Sequence, residues 1–438
     1  MFKTLRNALK IEDIRKKLIF TFLMLVVVRF GSQLPIPGAN RDYFQAWFAQ
    51  QTGDAFNFFD AFTGGSFTSM SLFALGITPY ITSSIIVQLL TIAIPKLEEM
   101  QKDGEDGRKK IQTISRYLTV ALALIESIAM TVGFGSRGLL AANTIPNKIV
   151  VIAAMTAGSA FLMWIGEEIT EHGVGNGISI VLLINIVSRI PDDFVTLFDQ
   201  FMKGQTILNA VVAAVVIIAV VLVTVVFVIF LQDGERRIPV QYAKKMQGRK
   251  MVGGQSTNIP LKVNTAGVIP VIFASSLMSF PNVIASLLGK TGGTGIGSKI
   301  MTGLSQSSWC DPSRPIYSLG LVLYIVLVVF FAYFYTSITF NPIEISNNMK
   351  RQGGFIPGIR PGKPTTEYLS RILNYIVFIG AVGLIIVCVI PIFFNGMFGA
   401  NVSFGGTSII IIVGVVLETL KQIESQMLVR YYKGFLND

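Results

Sequence analysis

Between Ile207 and Phe230 the chain reads ILNAVVAAVVIIAVVLVTVVFVIF, without one charged residue. Val and Ile favour strands in water, but the run is far longer than a strand. The hydrocarbon core of a bilayer is about 30 Å thick, and a helix needs about 20 apolar residues to cross it. Lipid also forces backbone hydrogen bonds to close within the segment. The stretch reads as a transmembrane helix.

The rest of the chain agrees with that reading. Of 438 residues, 52% are hydrophobic and 14% charged, against roughly 25% charged in soluble domains. Apolar segments near 18–38, 71–95, 117–136, 148–166, 177–190, 207–231, 265–289, 316–339, 372–394 and 406–424 give ten spans. The fifth, ISIVLLINIVSRI, is short enough to be re-entrant, and the charges decide the point. With ten spans and a cytoplasmic N-terminus, 27 of the 36 Lys and Arg fall on the cytoplasmic side or the closing end of span ten. Deleting the fifth span would move most of the downstream cations outside, against the positive-inside rule. The net charge of +11 is then a property of a few loops rather than a nucleic-acid footprint. Both termini are expected in the cytoplasm of a multi-pass protein of the cell membrane. Residues 1–17 read as an amphipathic interfacial helix. Glu12 and Asp13, with no small-residue cleavage site, argue against a signal peptide.

An internal repeat divides the spans. GITPYI at 76–81 is followed by Ser83 and Ser84, and GVIPVI at 267–272 by Ser275 and Ser276. Each opens the second span of a five-span set. The two therefore run in opposite directions across the membrane, as in inverted repeats. The expected organisation is an N-terminal half over 18–190, an outer hinge loop over 191–206, a C-terminal half over 207–424 and a tail over 425–438.

Chemistry for catalysis is sparse. His172 is the one histidine, and the two cysteines, Cys310 and Cys388, suit neither a disulfide framework nor a metal site. The GKTGGTG run at 289–295 lacks the upstream Gly of a phosphate loop. Ser179 beside His172 makes a poor intramembrane protease. Spans two, six, seven, eight and nine carry no charge. Arg29 can snorkel from the end of span one, Glu126 reads as a polar contact within the bundle, and Gln88 and Asn185 as helix–helix glue. No catalytic residue, metal or cofactor is expected.

Two cytoplasmic loops, 232–264 and 340–371, are longer than topology requires and basic. The alternation in RRIPVQYAKK suits a projecting β-hairpin, and charge of this kind suits docking of an acidic or RNA-rich partner. The outer segment 53–70, GDAFNFFDAFTGGSFTSM, is aromatic and too short to span. It reads as an interfacial helix or as a re-entrant piece buried in protein.

In LGITPYITSSIIVQLL (75–90), EHGVGNGISI (171–180), ERRIPVQYAKK (235–245), GVIPVIFASS (267–276), NPIEISNNMKRQGGFIPGIRPG (341–362) and FGGTS (404–408) the chain resembles the SecY/Sec61 family of protein-conducting channels. The resemblance runs along the whole length. It implies an all-α clamshell of two inverted five-helix halves around a central pore. It implies a pore ring of Ile77, Ile81, Leu182, Ile186, Ile272 and Ile411, with Leu182 in place of the usual isoleucine. Segment 53–70, with Phe59, Phe62, Gly64, Gly65 and Phe67, would be the plug. Spans two and seven would form a lateral gate along Thr82, Gln88, Ser275, Ser276 and Phe280. Arg236, Arg237, Lys244, Lys245 and Arg360 would mark docking loops for the ribosome or the SecA motor ATPase. SecE and SecG subunits, translocating preproteins with their signal sequences, and membrane lipids are the implied partners. The alternative is a secondary transporter of a small solute, which inverted repeats also fit.

Overall fold

The structure, a computed structural model, describes residues 6, 8–50, 60, 62–135, 138, 140–201, 207–242, 245–247, 250–252, 256–287, 296–310, 315–398 and 406–434. Ten helices occupy the ten apolar stretches among these residues. They are α1 (Glu12–Gly31), α2 (Thr78–Ala93), α3 (Glu105–Phe134), α4 (Ile145–His172), α5 (Gly177–Phe201), α6 (Ile207–Asp233), α7 (Ile269–Leu287), α8 (Leu319–Thr339), α9 (Lys363–Phe398) and α10 (Gly406–Gly434). By length and hydropathy alone, five of the described helices suffice to cross a membrane, all within α3, α4, α6, α8 and α9 or their extensions. α5 falls short because Arg189, Asp192 and Asp193 sit in its C-terminal part. Large apolar side chains stay exposed on the outward faces, such as Val211, Val215, Ile218, Leu222 and Phe230 of α6. Such a belt is intelligible with lipid as the solvent.

Several boundaries differ from the sequence reading, each for a local reason. α2 starts at Thr78 rather than near 71, because Gly76 takes φ +59° and turns the chain just before it. It ends at Ala93, and Pro95 opens a short helix, Pro95–Lys102, bent 105° away. α5 runs through Pro191 to Phe201 and absorbs much of the segment expected as a hinge loop. A helix interior tolerates such a Pro when neighbours satisfy the freed carbonyl. Residues 12–17 continue into α1 instead of ending a separate helix. Ala8 and Ile14 nevertheless pack with Val174 and Ile423 in a small core of their own.

The repeat is visible in the backbone. Gly76 and Gly267 both adopt left-handed φ, +59° and +63°, which glycine reaches without a Cβ penalty. Each helix begins two residues later, at Thr78 and Ile269, with Pro79 and Pro270 as its second residue. That position needs no N–H donor. In each half the small polar patch then turns to the next helix. Ser83 Oγ lies 2.6 Å from Thr119 Oγ1 of α3, and Ser275 Oγ donates to Tyr324 Oη of α8 at 3.4 Å.

Among the described residues, the three largest apolar cores follow this division. One holds Phe44, Phe67, Met70, Met130, Phe134 and Met155 in the N-terminal half. A second holds Val271, Met278, Trp309, Tyr324 and Leu384 in the C-terminal half. The third draws on both halves. Glycines allow the close crossings typical of membrane bundles. A Cβ on Gly158 would lie 1.9 Å from the carbonyl oxygen of Leu72, and one on Gly320 2.0 Å from that of Gly303.

On the basic side, β1 (Glu235–Tyr242), β2 (Lys245–Gln247), β3 (Lys250–Val252) and β4 (Ser256–Lys262) form the expected hairpin. β1 pairs antiparallel with β4, Ile238 opposite Ile259, and β2 with β3 near the tip. The second loop joins it. β5 (Gly354–Phe355) adds to the other edge of β1, giving the order β4-β1-β5.

Candidate functional site

The six residues implied as a ring come from four helices, and the shared core brings them together. Ile77 (at the start of α2), Leu182 and Ile186 (α5) and Ile411 (α10) are buried in it, and Ile81 and Ile272 pack against it partly buried. Each arrives by helix geometry. Residues 182 and 186 are one turn apart on a single face, as are 77 and 81. Ile272 follows Pro270 in the first turn of α7. Phe62 of the outer segment belongs to the same core. The junction therefore has aliphatic walls from both halves and an aromatic cap.

The described part of the outer segment, residues 60 and 62–70, is folded onto the bundle rather than lying at an interface. Phe59 lies outside the described residues, as do Phe56 and Phe58. Phe62 and Phe67 are buried, and Phe67 packs edge-on to Phe44 at 5.5 Å. Gly64 and Gly65 take φ +66° and +83°. At Gly64 a Cβ would lie 2.8 Å from the carbonyl oxygen of Asn185 and 2.9 Å from Arg29 Nη1, so glycine alone fits there. Three side chains grip this segment. Arg29 Nη1 of α1 donates to the Gly64 carbonyl at 3.4 Å. Asn185 Nδ2 of α5 donates to the Phe62 carbonyl at 3.3 Å. Arg189 of α5 pairs with the fully buried carboxylate of Asp60. Asp60 Oδ1 also accepts from the Thr68 amide at 2.9 Å and the Thr68 hydroxyl at 2.8 Å.

Asp60, Thr68 and Arg189 are absent from the sequence reading. Arg29 is read there as snorkelling and Asn185 as glue between helices, but both hold the outer segment. The spacing 182, 185, 186, 189 carries the missed signal, since i, i+3, i+4 and i+7 share one helix face. That face of α5 is apolar at the junction and polar one turn further out.

The residues implied as a lateral gate are placed less uniformly. Gln88 lines a cleft with Ile85 and Leu89 of α2, Phe273 of α7, and Phe331, Phe334 and Tyr335 of α8. Thr82 Oγ1 donates back to the Thr78 carbonyl of its own helix at 3.0 Å. Ser275 is buried against α8, while Ser276 is exposed. Phe280 lies in α7, its side chain outside the described residues. The cleft therefore separates α2 from the α7–α8 pair, and Gln88 is the one of these polar residues that lines it.

On the basic side, Arg236 and Arg237 stand exposed on β1, Arg237 bonded to Glu235 Oε1 at 2.7 Å. Arg360 is exposed in the turn after β5. Lys245 opens β2, and Lys244 lies outside the described residues. Beneath them Ile238, Val240 and Leu261 of the sheet pack on Met349, Ile356, Leu369, Ile372 and Ile376. The sheet is therefore anchored to α9 and to the short helix Pro342–Arg351. Asn341 caps that helix, Oδ1 accepting from the amide of Ile343 at 3.1 Å.

Other candidates from the sequence find plain roles. His172 Nδ1 lies 3.1 Å from Glu168 Oε2, one turn back on α4. The GKTGGTG run and the first two residues of FGGTS lie outside the described residues. Glu126 is part-buried on α3, with no hydrogen bond or ion pair among the described residues. The polar contact expected of it is not seen there.

Comparison with known proteins adds an independent line. The SecY family profile matches residues 71–420. The protein translocase subunit SecY of Halalkalibacterium halodurans is 43% identical over 447 residues, covering 100% of both chains. Among solved structures, a SecY channel aligns over 94% of this chain and 92% of its own, with TM-score 0.63 and 20% identity. Its plug domain is described as stabilising the closed state and maintaining a membrane seal. The Sec61 channel of a canine ribosome–channel complex from the endoplasmic reticulum aligns over 94% and 93%, with TM-score 0.60 and 19% identity. With the fold shared at that level and the sequence matched end to end, the chain belongs to the SecY family.

Proposed function

We propose that this chain is the protein-conducting channel through which unfolded secretory polypeptides cross the cell membrane and from which transmembrane segments leave sideways into lipid. The observation that carries the reading is the shared core. Six aliphatic side chains from both halves converge there, beneath a glycine-rich segment gripped from outside. An apolar constriction excludes water and ions at rest, and its soft side chains re-pack around a passing chain. Segment 53–70 acts as the plug. The cleft between α2 and α7–α8, lined by Gln88, is the seam of the lateral gate.

The shared sheet, with Arg236, Arg237, Lys244, Lys245 and Arg360, takes the ribosome or the SecA motor ATPase. SecE and SecG complete the complex, and both termini lie in the cytoplasm. Among the described residues the shared core holds aliphatic and aromatic side chains and no charged one, which gives the solute-transporter alternative no support.

A photo-crosslinker at Ile272, with a secretory precursor stalled in transit through the complex, tests the reading. The expected result is a precursor adduct that depends on translocation. If no adduct forms while positions on the cytoplasmic sheet still label, Ile272 is not in the path and the pore assignment falls. A second expectation concerns docking. Replacing Arg236, Arg237 and Arg360 together by Ala weakens SecA or ribosome binding about tenfold or more at low salt. Exposed charges contribute individually little and are screened, so the difference shrinks at high ionic strength. Equal affinities of parent and variant across a salt titration would remove these residues from the docking surface.

A further inference from the structure

We propose that the Asp60–Arg189 ion pair is the latch that holds the outer segment on the closed channel and sets how tightly it stays shut at rest. The proposal rests on reading that segment as the plug, and goes further in naming what fixes it.

Of the three side-chain grips on the segment among the described residues, those of Arg29 and Asn185 end on backbone carbonyls, at Gly64 and Phe62. Any residue supplies those acceptors. The Asp60–Arg189 link is the one that depends on a side chain from each partner among the three. Asp60 is fully buried, and the other hydrogen bonds to its carboxylate, both from Thr68, lie within its own segment. They pre-orient the carboxylate and give it no hold on the bundle. Arg189 supplies that hold from α5, two turns beyond Leu182 on the same face. Movement of α5 at the constriction is therefore carried to the latch by one rigid helix. A buried carboxylate that loses its cation is left uncompensated in a low dielectric. Breaking one side of such a pair is far more damaging than replacing both sides with neutral groups.

The test is the resting ion conductance of the complete channel complex in planar bilayers, without motor or precursor. Asp60→Asn and Arg189→Gln are each expected to raise it at least tenfold. The double variant is expected to leak less than either single one, because no charge is left unpaired. Arg189→Lys, which keeps the charge, is expected to stay near the parent. A channel lacking residues 60–70 is measured alongside. If the deletion leaks and both single variants stay as tight as the parent, the latch is overturned and the plug stands. If the deletion is also tight, the plug reading fails and the latch with it. Precursor translocation by the same preparations reports folding. Loss of the folded channel in both single variants makes the pair merely structural and also overturns the latch.

Discussion

Replacing Ile77, Ile272 and Ile411 together by Ser raises the resting ion conductance of the channel at least a hundredfold. The three side chains come from two helices of the C-terminal half and the start of one in the N-terminal half, and meet in the shared core. Burying an aliphatic side chain of this size contributes about 1.5–3 kcal/mol. Serine forfeits that and adds a hydroxyl that favours water. Three such changes in one constriction amount to several kcal/mol, and about 1.4 kcal/mol is a factor of ten. Conversion of the same residues to Leu keeps volume and hydrophobicity, so the seal holds within a fewfold. Single-channel recording of the two triple variants checks both halves of the expectation. A serine variant as tight as the parent would mean that closure lies elsewhere.

The second large effect is on stability. Gly177→Val lowers the yield of folded protein and shifts the thermal midpoint of what remains down by a few degrees or more, roughly 1–2 °C per kcal/mol in a chain of 438 residues. Gly177 opens α5 where it crosses α4. Its Cβ would lie 2.0 Å from the Gly166 carbonyl oxygen and 2.7 Å from Ile169 Cβ. Neither obstacle rotates away, so the helices must part, and overpacking of this sort costs about 1–3 kcal/mol or more. Gly297→Ala is the control, since nothing lies within 4 Å of its Cβ. Size-exclusion profiles in detergent after graded heating separate the two. A Gly177→Val protein that melts with the parent would show that the crossing is looser than described.

That crossing also explains part of what the sequence made legible. EHGVGNGISI stood out as a motif, and its glycines have separate steric duties. A Cβ on Gly173 would meet Thr21 Oγ1 at 2.5 Å, Gly175 takes φ +82°, and Gly177 meets α4. Asn176 caps α5, its Oδ1 accepting from the amide of Ile178 at 3.1 Å. The spans were readable because lipid imposes length and apolarity, and the repeat because a left-handed Gly and an early Pro leave a fixed spacing. The aliphatic ring was not readable from periodicity, since an Ile within a span looks the same facing lipid, bundle or pore. It came from resemblance. The polar grip was missed because Asp60 and Arg189 are distant in sequence, and each alone looks like an exposed end-of-span charge. β5 was missed because two residues, Gly354 and Phe355, carry no pattern at all.

The joined sheet has a mechanical consequence. β1 and β4 hang between α6 and α7, and β5 between α8 and α9, so every strand is rooted in the same half of the molecule. Its apolar underside rests on α9 and on the helix before β5, again in that half. A body that grips the sheet holds one jaw of the clamshell by a stiff handle and leaves the other jaw free. Torque applied there would be delivered to that half as a whole, because the two loops are paired through Gln241 with Phe355 and Tyr242 with Gly354. On the channel reading proposed above, pushing on the handle and prising the jaws apart would be a single motion.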